Sequence, residues 1–106
     1  MLDPMLLSSA MQLASDIRAG RTTSTAVVDA HLRHLDQVNP ALNAQVASRA
    51  ELAREEAAAA DATPSSRPLH GVPCSIKECF ALNGMPQSSG LLRRKDVRAS
   101  SDATAV

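Results

Sequence analysis

Lys77 follows Val72-Pro73-Cys74-Ser75-Ile76, an uncharged stretch entered through Leu69-His70-Gly71. Proline is tolerated at the start of a strand, so the pattern predicts a strand over residues 72–79 with the lysine inside it. An ammonium drawn into a sheet interior loses its hydration. It must then find an anion or give up its proton, and a lysine that gives up its proton is a base. The chemistry on offer is proton transfer, with a neutral Lys77 as the base.

The other polar residues offer less. Ser75 lies two positions before Lys77 and shares its face in a regular strand, where a structural role is expected. Cys74 and Cys79 are five apart, so one strand projects them to opposite faces and no disulfide is expected between them. No second pair stands at zinc spacing. His31 and His34 share a helix face, but no acidic or cysteine partner is spaced to complete a metal site. His70 is expected to fix its loop rather than to act as a base. Gly71, Gly84 and Gly90 lack the spacing of a phosphate-binding loop.

Three helices are expected to position this segment. Over residues 9–19, Ala10, Leu13, Ala14 and Ile17 recur at helical spacing, with Ser8 or Ser9 as a cap and Gly20 as the stop. Over 23–38, Thr23 caps a helix whose inner stripe is Val28, Leu32 and Leu35. Its outer face carries Asp29, Arg33 and Asp36, and Asn39-Pro40 ends it. Over 48–62 the residues are strong helix formers without a breaker, and Ala50, Ala53, Ala57 and Ala60 share one face where another element can approach closely. Thr63 to Pro68 is a loop, Asn83-Gly84-Met85-Pro86 a turn, and Ser100 or Ser101 a cap for a helix from Asp102.

Composition narrows the possibilities. Eleven basic residues balance eleven acidic ones, so no long-range field favours nucleic acid, and Arg93-Arg94-Lys95 lacks interleaved aromatics. Nineteen residues are alanine and Phe80 is the sole aromatic, so large side chains for a core are scarce. No apolar run reaches the length of a membrane span, and Met1 to Leu7 is too short and acidic for a signal peptide. Unpaired cysteines fit an intracellular compartment, cytoplasmic or membrane-associated.

Pro68-Leu69-His70-Gly71-Val72-Pro73-Cys74-Ser75-Ile76-Lys77-Glu78-Cys79-Phe80 resembles the lysine-bearing motif of the amidase signature family of serine amide hydrolases. The resemblance continues through Ala81 to Gly90 and Asp102 to Val106. Upstream it takes in Gly20 to Ser24, Val38 to Ala44 and the alanine-rich stretch ending at Asp61, and so it covers nearly the whole chain. Glu78-Cys79-Phe80 and Gly84-Met85-Pro86 are most similar to the fatty-acid amide hydrolase branch, its second type in particular.

The resemblance implies an α/β fold, a central mixed sheet flanked by helices, of which residues 1–106 are the amino-terminal part of one amidase domain, with a short edge strand over Ala41 to Val46. It also implies amide hydrolysis through an acyl-serine, with the proton passing from a nucleophilic serine to a cis-serine to Lys77. Fatty-acid amides are the expected small-molecule substrates, and no metal or organic cofactor is required. The family's glycine- and serine-rich segment is absent from these residues, and Ser88-Ser89-Gly90 lacks its paired glycines, so the chain alone is expected to be inactive. A membrane anchor and oligomeric state of the whole protein stay open. The competing reading from a different class is a non-catalytic helical interaction module. Within the family, a general amidase or an amidotransferase subunit also fits.

Overall fold

Side-chain caps decide where the first two α-helices begin. In the computed structural model, which describes residues 1–106, Asp3 accepts from the Met5 N–H at 3.0 Å and opens a 3₁₀ turn over Pro4–Leu7. Ser9 accepts from the Gln12 N–H at 3.1 Å and starts helix α1, Ala10–Arg18. Its end is a Schellman closure: Gly20 takes φ 70°, its N–H donates to Ile17 O, and the Arg21 N–H donates to Asp16 O. Thr23 caps α2, Ser24–Leu42, by accepting from Ala26 N–H at 3.1 Å. Helix α3, Ala50–Ala62, has no side-chain cap at its start and relies on its alanine-rich composition and on packing.

The chain divides into two units, Met1–Ala44 with Arg49–Pro73, and Gln45–Ser48 with Cys74–Val106. In the first, α2 and α3 pack on one another, and the core consists of Leu13, Ala14, Val27, Val28, Ala30 and Ala57. Ala57 lies on the expected alanine face, where Ala50, Ala53 and Ala60 are half-buried. Small side chains there let the helix backbones approach closely. Leu32 and Leu35 are half-buried rather than central, and the best-buried residues of α2 are Val27 and Ser24. Asp29, expected on the solvated face, instead accepts from Arg54 Nε of α3 at 3.0 Å.

A tertiary cap ties the last turn of α3 to the start of α2. The Asp61 carboxylate accepts from the N–H of Ser24 at 2.6 Å, the N–H of Thr25 at 3.0 Å and the Thr25 hydroxyl at 2.7 Å. Ser24 Oγ, fully buried, donates to Gly71 O at 2.6 Å. Gly71 holds φ 81°, and a Cβ there would lie 3.1 Å from Ser24 Cβ, so a side chain is disfavoured on two counts.

The second unit is a net of turns. Residues 84–87 run antiparallel to 97–99: Gly84 N–H donates to Ala99 O, Ala99 N–H to Met85 O, and Gln87 N–H to Val97 O, around a single Pro86–Arg98 bridge. Gly84, at φ 78°, turns the chain into this pair, with Met85 N–H returning to Leu82 O at 2.9 Å. A one-turn 3₁₀ element covers Leu92–Arg94.

Four expectations are corrected. The segment 72–79 is not a strand: residues 72–77 carry no ladder and 78–80 turn. A strand exists only by pairing, and no neighbouring segment of these residues pairs with it. The helical part of the α/β expectation is present, and strands are not. The edge strand over Ala41 to Val46 is likewise missing, because α2 continues through Pro40 to Leu42. Pro40 sits in the last turn, where the lost N–H costs one bond, and Asn43 ends the helix in the left-handed region at φ 50° with its N–H on Asn39 O. No helix starts at Asp102, whose carboxylate instead accepts from the Asn83 N–H at 2.8 Å.

Candidate functional site

Lys77 lies in the second unit, on the turn that closes when Phe80 N–H donates to Lys77 O at 2.9 Å. Its side chain is exposed within these residues, as are Ser75, Cys74 and Cys79. The sequence places Ser75 and Lys77 on one strand face. With no strand, that shared face has no structural basis here.

What the structure adds is the support beneath the lysine. Glu78, next in the chain, accepts from the Ser88 N–H on Oε1 and from the Ser89 N–H at 2.9 Å on Oε2. Donation from the Ser88 N–H holds its carboxyl below the usual glutamate range. Partial burial opposes this, while the Ser88 hydroxyl, the Ser89 N–H and the charge of Arg94 reinforce it. Gln87 Nε2 donates to Cys79 O at 3.3 Å, and Arg94 Nη2 donates to Gln87 O at 3.1 Å. The lysine turn is therefore pinned at Glu78 and Cys79 to residues 87–89. Sequence reading singled out Glu78 only as part of a motif. The available signal was a carboxylate ten residues before a Ser-Ser-Gly turn whose N–H groups needed an acceptor.

The first unit holds a separate cavity of about 280 Å³, lined among others by Ile17, Arg18, Thr23, Asp61 and His70. Of the lysine-bearing motif only His70 lines it, and Lys77 does not. His70 Nε2 lies 2.9 Å from Ala60 O, so this histidine ties the loop to the end of α3, the role expected of it. Burial alone pushes the Asp61 carboxyl up. Donation from Thr25 and from the Ser24 N–H, together with nearby His70, outweighs it and leaves the pKa lowered. His31 Nδ1 lies 2.8 Å from Val27 O, an intrahelical contact. No group of three or more His, Cys, Asp or Glu stands close enough to hold a metal ion, and no helix is long and apolar enough to cross a membrane.

Comparison with known proteins adds what geometry alone does not. The family described as Amidase matches residues 26–106. Fatty-acid amide hydrolase 2-A of Danio rerio is 44% identical over 115 residues, which covers 98% of this chain and 22% of that protein. Fatty-acid amide hydrolase 2 of Homo sapiens is 43% identical over 98% of this chain and 22% of its own length. Indoleacetamide hydrolase of Bradyrhizobium diazoefficiens is 38% identical over 97% of this chain and 20% of its own length. The chain thus spans about a fifth of the length of these curated relatives.

Proposed function

We propose, from the premise that this chain belongs to the amidase family, that the whole protein hydrolyses carboxylic amides, fatty-acid amides foremost, through an acyl-serine intermediate. In this reading a serine outside residues 1–106 attacks the amide carbonyl. Its proton passes through a second serine to Lys77, and Lys77 later returns a proton to the departing amine. The 106-residue chain supplies the lysine and by itself turns over no amide.

The observation that carries this reading is the motif Leu69 to Phe80, set in a chain that is 44% identical to a fatty-acid amide hydrolase over 98% of its length. The physical requirement is strict. A lysine serves as a base only where desolvation or neighbouring positive charge leaves it neutral. Lys77 is exposed within residues 1–106, so its dry surroundings must come from residues outside them.

The test is Lys77→Ala in the full-length protein, assayed with the p-nitroanilide of decanoic acid. Loss of a general base at the attacking hydroxyl lowers the acylation rate by about 10³-fold. Turnover close to that of the parent overturns the lysine's role. A second reading, hydrolysis of small amides, draws on the 38% identity to indoleacetamide hydrolase. Indoleacetamide offered in competition with a long-chain amide separates the two by their kcat/KM.

A further inference from the structure

We propose that Glu78 is the positioning residue for Lys77, its carboxylate tying the turn that carries the lysine to the turn at Ser88-Ser89-Gly90. This rests on reading Lys77 as the base, and it adds a residue that reading does not require.

The geometry is specific. Each Glu78 oxygen takes one backbone donor, Oε1 from Ser88 and Oε2 from Ser89, so the carboxylate is held in orientation as well as place. The turn it grips is not a relaxed one. Ser89 holds φ 53° and Gly90 φ 73°, with Leu91 N–H closing onto Ser88 O at 3.0 Å. A non-glycine residue in the left-handed region persists only where its surroundings over-determine it, and the acceptor on its N–H does that here.

The gripped turn is itself anchored. Gln87 belongs to the antiparallel pairing with Val97, and its carbonyl receives Arg94. A chain of fixed groups therefore runs from the 84–87 and 97–99 pair, through Ser88 and Ser89, to the Glu78 carboxylate and the adjoining lysine. Lys77 has no strand of its own among these residues to set its direction. The carboxylate clasp, with Gln87 Nε2 on Cys79 O, takes over that task.

The experiment compares Glu78→Ala, Glu78→Gln and Glu78→Asp in the full-length protein with the p-nitroanilide of decanoic acid, alongside Lys77→Ala. A base displaced by about 1 Å loses roughly 100-fold in rate, so E78A is expected to lower kcat by about that factor with KM within about twofold of the parent. E78Q keeps one acceptor but turns an amide donor toward the Ser89 N–H, and loses most of the same rate. E78D keeps both acceptors and recovers at least about tenfold over E78A. The rate of labelling by a fluorophosphonate falls in step with kcat. An unchanged kcat in E78A overturns the proposal, whatever happens to the melting temperature. A loss seen in KM alone, or no recovery in E78D, overturns it as well. If E78A does not fold, E78Q and E78D carry the same comparison. K77A separates the two failures: inactive K77A with normal E78 variants sinks only the positioning role, whereas normal turnover in K77A sinks the base and Glu78's role with it.

Discussion

The helical unit buries Leu13, Ala14, Val27, Val28, Ala30 and Ala57, whereas the unit carrying Lys77 buries a single apolar residue, Ala99. The first is held by apolar packing, supported by the Asp61 cap on α2. The second is held by backbone pairing and by side chains that satisfy turns: Glu78 on Ser88 and Ser89, Asp102 on Asn83, Arg98 on Gly84 O. Such bonds exchange protein partners for water and yield only about 1 kcal/mol each, so they direct a conformation more than they drive collapse. Apolar burial is concentrated in one region, and Lys77 lies in the other.

The sharpest way to break that contrast is to hollow the helical core. Leu13→Ala in the full-length protein is expected to cost about 3 kcal/mol by lost burial and the cavity left behind, read as a shift of the unfolding transition in urea. Amide exchange at Ser88 and Ser89, followed by mass spectrometry below that transition, should be unchanged. Equal acceleration there means the two regions open as one.

A smaller effect is expected at Gly71. Alanine there combines a positive φ with a Cβ 3.1 Å from Ser24, costing about 2 kcal/mol and lowering the melting temperature. A melting temperature equal to the parent's would show that the Ser24–Gly71 contact yields freely and does not hold the loop.

The smallest is at Asp61. Removing the charge with Asp61→Asn weakens a cap worth about 1 kcal/mol. Because folding lowers this carboxyl's pKa, its stabilisation is fully present above the unfolded-state value and disappears as pH falls through the lower folded-state value. The parent should therefore lose stability to D61N steadily below about pH 4, until the two melting temperatures converge in strong acid. A gap that stays constant with pH rules out ionised Asp61 as its source.

Much of the helical unit was legible because its determinants are local. Ser9, Gly20 and Thr23 act on backbone groups within a few residues, and the alanine face of α3 follows from a period of 3.6. Pro40 misled because a proline in a last turn removes a bond the helix can spare. Asp61 was invisible because its partners, Ser24 and Thr25, lie 37 and 36 residues away. The strand over 72–79 failed for a related reason: pattern reports a preference for extended backbone, and only a neighbour turns extended backbone into a strand.

For the candidate site, residue types alone determined that one lysine stands in an uncharged run and that the run carries an amidase motif, since both are properties of order along the chain. Only the tertiary structure decided that Lys77 is exposed here, that the Asp61 carboxylate adds to the Thr23 cap of α2, and that Glu78 grips a turn ten residues on. Those are matters of which donors meet which acceptors across loops. Hydrogen bonds are short and directional, so no periodicity in the sequence encodes them.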